Sequence, residues 1–317
     1  MEHGLWEWVG FLAFVLAMLA LDLGVFNRKA HVVRAREALG WSVFWIGLAL
    51  AFGAFVWVRS GSQPGLEYFT GYVIEKSLSV DNIFVFVVIF GALGIPAAYQ
   101  HRVLFWGIVT ALVLRGAMIA GGAALLQRFH WIIYVFGGFL ILTGVKLFLA
   151  RGAVPHPERS AAFRALRRIV PATSRFDGHR FFTVEGGKRL ATPLFFALAL
   201  IELTDVVFAV DSIPAIFAVT DDPYIVFTSN IFAILGLRSL YFLLAGFVER
   251  FTYLKPSLAF ILVFVGAKMA AVDVVKVPAA VSLVVVLGIL ATGVVASIVK
   301  ARREAPGAAP GAQTEGG

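Results

Sequence analysis

Four carboxylates recur at matched positions in two distant stretches of the chain, and they are the first residues that could do chemistry. Glu75 stands six residues before Asp81 in Val80-Asp81-Asn82-Ile83, and Asp205 stands six before Asp211 in Val210-Asp211-Ser212-Ile213. On a helix, Glu75, Ser79 and Asn82 fall at i, i+4 and i+7 and share one face; Asp205 and Ser212 repeat the i, i+7 relation. A carboxylate in line with a neutral oxygen, twice over, is a donor set for a hard cation. Glu202 adds a fifth acid just before Asp205. Asp81 and Asp211 sit about 100° around the helix from those faces, so straight helices would not aim all four acids at one point. Pro214 cannot donate to the carbonyl of Val210, which predicts a kink there and a carbonyl released beside Asp211.

The rest of the ligand inventory narrows the ion. The chain has no cysteine, which excludes disulfides, thiolate metal sites and iron-sulfur clusters. His3, His31, His101, His130, His156 and His179 all fall in predicted termini or loops, and no methionine joins the acids. Oxygen-only ligation favours Mn, Mg or Ca over Zn, Cu or Ni, and spacing does not separate the first three. No metalloprotease, nucleophile-elbow or nucleotide motif occurs. Gly187-Lys188 lacks the earlier glycine of a phosphate loop and is followed by Arg189 where Ser or Thr is required. We therefore expect neither an enzyme nor a prosthetic group.

The elements that must position these acids are membrane helices. Hydrophobic residues make up 60% of 317, charged residues 15%, and the mean hydropathy is +0.88, a balance that makes lipid the solvent for most of the chain. The net charge of +8 is concentrated between apolar stretches, which argues against a nucleic-acid surface. Nine apolar segments are long enough to cross about 30 Å of hydrocarbon: 5–26, 39–58, 68–93, 103–126, 131–150, 193–219, 225–247, 256–275 and 279–299. The fold class expected is all-α, a polytopic bundle of about nine transmembrane helices. Arg28, Lys29, Arg34, Arg36, Arg102, the basic residues between Arg151 and Arg189, Arg250, Lys255, Lys300, Arg302 and Arg303 fall on one side, against Arg59, Arg128 and Lys276 on the other. Cytoplasmic loops keep the positive charge, so we expect an inner-membrane protein with its N-terminus outside and its C-terminus in the cytoplasm. The first apolar run has no basic residue before it and no small-residue cleavage pattern after it, so it does not read as a signal peptide.

The motifs recur as a set. The helix after each acidic motif carries Leu114-Arg115 or Leu237-Arg238, and the helix after that carries Gly144-Val145-Lys146 or Gly266-Ala267-Lys268. Three crossings match three in order, and a unit of three must reappear upside down, as in many secondary transporters. The resulting organisation is two N-terminal helices (1–60), a first three-helix unit (61–150), a basic cytoplasmic loop (151–192), a second, inverted unit (193–276), a final helix (277–300) and a disordered tail (301–317). Within the loop, Phe163, Leu166 and Ile169 among arginines suggest a short amphipathic helix, followed by an extended pair around Gly186-Gly187. A solvated loop that only fixes topology fits equally well.

Within the six repeat helices lie Glu75, Asp81, Glu202, Asp205 and Asp211, with Lys76, Arg115, Lys146, Arg238 and Lys268. Left unpaired, ten such charges would oppose insertion by on the order of 25 to 35 kcal/mol, so they must face one another or water. For Arg115, Arg238, Lys146 and Lys268 two readings stand side by side: structural pairing that holds the bundle, or charge balance and gating of a cation site.

The motifs Leu19-Ala20-Leu21-Asp22-Leu23-Gly24-Val25, Glu75 through Asn82, Glu202 through Thr204-Asp205, Asp211-Ser212-Ile213-Pro214, Asp221-Asp222-Pro223 and Thr228-Ser229-Asn230 to Leu237-Arg238 resemble the TerC family of integral membrane proteins, named for tellurite resistance and regarded as manganese exporters in several bacteria. The resemblance runs from Leu5 to about Val299. It implies a helical bundle with the acidic motifs at its centre and manganese efflux, with protons one choice of counter-ion. It carries a metal-binding role to Glu75, Asp81, Asn82, Glu202, Asp205, Asp211 and Ser212, and a site or interfacial role to Asp22; Thr204, Ser229 and Asn230 are weaker candidates. The function expected is export of a hard divalent cation, with Mn²⁺ as substrate held between Asp81 and Asp211. Two alternatives stay open: a membrane assembly factor contacting the protein-export machinery through the basic loop, and an oxyanion transporter using Arg115 and Arg238.

Overall fold

A computed structural model of the chain describes residues 4–21, 35–149, 161–245 and 252–304. Eleven helices and one hairpin follow in order: α1 Leu5–Leu21, α2 Ala35–Ser60, α3 Ser62–Ala92, α4 Ala97–Arg128, α5 Ile132–Leu149, α6 Ala161–Ile169, β1 Phe182–Glu185, β2 Lys188–Ala191, α7 Pro193–Phe217, α8 Pro223–Leu235, α9 Leu237–Leu244, α10 Leu254–Ala270 and α11 Ala279–Glu304. Among the described residues six stretches are long and apolar enough to cross a membrane: α2, α4, α5, α7, α8 with α9, and Ala279–Ala301 of α11. The protein is therefore an all-α, multi-pass membrane protein. Of the other expected crossings, α1 and α10 are apolar but only 17 residues long. The 31-residue α3 interrupts its apolar run with Glu67, Glu75, Lys76 and Asp81.

Local sequence sets the helix ends near the site. Asp222 caps α8 by accepting from the Tyr224 amide at 2.9 Å, with Pro223 behind it at the first helical position, where a missing N–H is no loss. Pro193 opens α7 in the same way.

One expectation about helix breaks needs correction, and one element keeps its proline inside. α7 continues through Pro214 to Phe217, so the proline removes one donor within the helix without ending it. The span expected as one helix over 225–247 is instead divided at Gly236, which ends α8 and opens α9. A Cβ at Gly236 would lie 2.9 Å from the Lys76 ammonium and 3.1 Å from Trp45, so a side chain here would push the lysine end aside and crowd the approach of α2 and α3 to this break.

α3 packs along α7, α8, α2 and α11, and α4 closes over α7 and α8. α5 and α10 form the tightest pair. They run antiparallel, because a Cβ on Gly137 would meet the Gly266 carbonyl at 2.9 Å while one on Gly144 would meet the Ala259 carbonyl at 2.7 Å. Backbones approach this closely in lipid only where side chains vanish.

The loop before α7 is built rather than loose. Phe163 of α6 is buried against Phe196, with ring centres 5.8 Å apart, whereas Ile169 is 79% exposed. The hairpin turns through Gly186 (φ 57°) and Gly187 (φ 76°) and pairs Phe182 with Ala191 and Glu185 with Lys188. Two consecutive left-handed residues are what a two-residue turn between antiparallel strands requires.

Candidate cation site

The centre of the bundle is organised by Arg115 of α4. Its Nε and Nη2 donate to the two Asp205 oxygens at 3.1 and 2.7 Å, a bidentate pair, and Nη1 donates to Glu75 Oε1 and, at 3.2 Å, to Asn230 Oδ1. Arg115 and Glu75 are each 1% exposed and Asp205 5%, so water screens none of these charges. One guanidinium therefore holds two carboxylates from matched positions on α3 and α7, which leaves the buried trio an excess of negative charge.

The two helices that carry these acids also carry buried oxygens without partners. Glu75 Oε2, Ser79 Oγ and Asn82 Oδ1 on α3, and Ser212 Oγ and Glu202 Oε2 on α7, are buried without a hydrogen-bond partner among the described residues. Ser79, Asn82 and Ser212 are at most 2% exposed. A buried polar atom left unpaired disfavours folding by roughly 1–3 kcal/mol, and such atoms are scarce unless a function retains them. Asn82 and Ser212 occupy corresponding positions in the two motifs.

Asp81 and Asp211 face other neighbours. Thr143 of α5 donates to Asp211 at 3.2 Å and Lys146 lies within electrostatic reach; Asp81 has Lys255 as its charged neighbour, and that ammonium sits 4.1 Å over the Phe84 ring. The acids thus divide into a central pair clamped by Arg115 and a flanking pair turned toward α5 and α10. Among the described residues no three of His, Asp and Glu gather closely enough to hold a metal ion.

Glu202 accepts from Thr110 at 2.7 Å and, with Asp205 and Arg238, lines a cavity of about 20 Å³, room for about one water. Arg238 Nη1 lies 3.1 Å from His101 Nε2. That contact corrects the reading of all six histidines as loop or terminal residues, since His101 stands in the first turns of α4. Lys268 donates to Ser282 of α11 at 3.0 Å. Asp22 and the tail beyond 304 lie outside the described residues. Thr110, Thr143 and His101 were not singled out in the sequence; the first two stand in plain apolar runs, and His101 follows a Gly-Ile-Pro stretch that reads as a turn.

A multi-pass helical bundle with Arg115, Glu75 and Asp205 paired in its interior defines an integral membrane protein with a polar centre. The integral membrane protein TerC family model matches residues 60–305, and the chain belongs to that family. It is 67% identical over 295 residues to "Uncharacterized membrane protein STKORF319" of Myxococcus xanthus, covering 93% of this chain and 92% of that one. It is 50% identical over 292 residues to "Putative membrane-bound redox modulator Alx" of Escherichia coli (strain K12), covering 89% and 91%. An "Uncharacterized membrane protein" of Rickettsia bellii is 43% identical over 294 residues, covering 93% and 97%. No solved structure matches the chain.

Proposed function

We propose that the protein exports a hard divalent cation, Mn²⁺ first, by alternating access of two inverted three-helix units. The observation that carries this reading is the set of buried, unpartnered oxygens of Glu75, Ser79, Asn82 and Ser212 on α3 and α7, the two helices whose carboxylates Arg115 clamps. They are carboxylate, amide and hydroxyl oxygens, the donors of Mn, Mg and Ca sites, and no sulfur competes with them. Arg115 plays the cation of the empty state. When a divalent ion enters, it neutralises Glu75 and Asp205 and the guanidinium must withdraw. Asp81, Asp211 and Glu202 then supply further oxygens or draw the ion inward.

The α5–α10 pair supports the inverted repeat. Gly137 and Gly144 on α5 correspond by motif alignment to Ala259 and Gly266 on α10. The contact of Gly137 with Gly266 therefore has as its counterpart the contact of Gly144 with Ala259, and both occur. Antiparallel packing alone gives that reciprocity; what a pseudo-twofold axis in the membrane plane adds is that the two motif lysines end on opposite sides. On this reading α1, α3 and α10 also cross, making nine spans, with the N-terminus outside and the C-terminus in the cytoplasm.

The name of the Escherichia coli relative refers to redox modulation; thiol exchange has no residue to act on here, because the chain lacks cysteine. An oxyanion substrate would have to compete for Arg115 with Glu75 and Asp205, which already take its donors. The direct test is Mn²⁺ flux in proteoliposomes. Wild-type protein should carry the ion down its gradient, and the double variant Glu75→Gln, Asp205→Asn should not. Equal flux from both would remove the site.

A further inference from the structure

The interruption between α8 and α9 is already occupied by a cation of the chain's own. Lys76 Nζ donates to the Ala233 carbonyl at 3.1 Å. Ala233 lies within the last four residues of α8, where carbonyls run short of helical N–H donors and carry the negative end of the helix dipole. The ammonium also lies 2.9 Å from where a Cβ on Gly236 would stand, so the missing side chain makes its room. This is Lys76's one hydrogen bond among the described residues, and it is made to no carboxylate.

The charged groups nearby do not replace that contact. On its own helix Glu75 is turned to Arg115. From α4 comes Arg115 and from α9 Arg238, both positive. The ionisable residues of α2 are Arg36, Glu37 and Arg59 at its ends, and α8 brings only Tyr224 at its start. Interrupted membrane helices offer their carbonyl ends to coupling cations such as Na⁺. Here a protein ammonium takes that position.

We propose that the α8–α9 interruption is a monovalent-cation site of the ammonium or potassium class, filled permanently by Lys76. Transport then runs without sodium or potassium from solution; this second part rests on the exporter reading, and the first does not.

The test removes the tethered cation and offers a free one. Purified Lys76→Ala protein should melt about 5 °C below wild type in tetramethylammonium chloride, the size of shift expected for losing one charged hydrogen bond. It should recover in ammonium, methylammonium or potassium chloride at the same ionic strength, while wild type ignores the choice of salt. Gly236→Ala should melt lower in every salt, since its Cβ takes the ammonium's room. Lys76→Gln gives the same comparison if the alanine variant does not fold. Loss of salt selectivity in the Lys76 variants overturns the proposal, as does full recovery by Lys76→Met in tetramethylammonium, which would reduce the lysine to a packing stem. In proteoliposomes, Mn²⁺ flux by Lys76→Ala should rise on replacing tetramethylammonium by potassium, with wild type unchanged. Absence of Mn²⁺ flux from wild type would strike the exporter reading alone, and the melting comparison would still decide the cation site.

Discussion

Replacing Arg115 by Met keeps most of the side-chain volume and deletes the charge that clamps Glu75 and Asp205. All three groups are at most 5% exposed, so the two carboxylates would lose the charge that clamps them with no solvent to replace it, and Lys76 would be the remaining cation within electrostatic reach of Glu75. Removing one partner of a buried ion pair destabilises by about 3–5 kcal/mol, which for a chain of this length lowers the melting temperature by roughly 6–10 °C. The sign of the metal response follows from the same geometry. In wild type Mn²⁺ must displace a bidentate guanidinium, whereas in Arg115→Met the acids stand unoccupied. Saturating metal, at about a hundredfold over its dissociation constant, adds roughly 2.7 kcal/mol, so Mn²⁺ should restore much of what the variant lost and stabilise it more than wild type. The assay is thermal unfolding of purified protein across a Mn²⁺ titration. The reasoning fails if the variant is as stable as wild type without metal, or if Mn²⁺ stabilises wild type more.

Further outcomes follow from other contacts. Gly144→Ala places a Cβ 2.7 Å from the Ala259 carbonyl and should destabilise by about 1–3 kcal/mol; Gly138→Ala, with nothing within 4 Å, is the control and should be neutral or slightly stabilising, both read by thermal melting. Glu202→Gln keeps the Thr110 contact and removes a charge near Asp205, so Mn²⁺ flux at low metal should fall about tenfold while the maximal rate holds; an unchanged half-saturating concentration would count against Glu202. Hydrogen bonds from Tyr134 and then His130 hold the Asp273 carboxyl, in the turn after α10, below its ordinary value of 3.8. Its contribution is present above that value and is lost as pH falls through the lower folded one. Tyr134→Phe should move its midpoint back up toward 3.8 in an NMR titration, and an unmoved midpoint would refute the contact.

Much of this architecture is legible in the sequence because lipid imposes simple rules. Apolar run length marks the membrane-capable helices, and the i, i+4, i+7 spacing of Glu75, Ser79 and Asn82 correctly places them on one buried face. Phe163, Leu166 and Gly186-Gly187 likewise announce α6 and the hairpin. What the sequence hides is pairing across helices. Nothing in Leu114-Arg115 says that this arginine, rather than one from each motif, binds both Glu75 and Asp205. The break at Gly236 escapes notice because a lone glycine in an apolar run is usually just a packing residue; its role comes from Lys76 and Trp45, more than a hundred residues away in sequence.

The backbone-to-backbone crossing of α5 and α10 limits how the molecule can change shape. With carbonyls of one strut pressed into the glycine notches of the other, any sliding or splaying would open a void too narrow for an acyl tail to fill. The two struts therefore stay joined, so any movement of the three-helix units must leave α5 against α10, with Asp211 beside Thr143 of the one and Asp81 within electrostatic reach of Lys255 of the other.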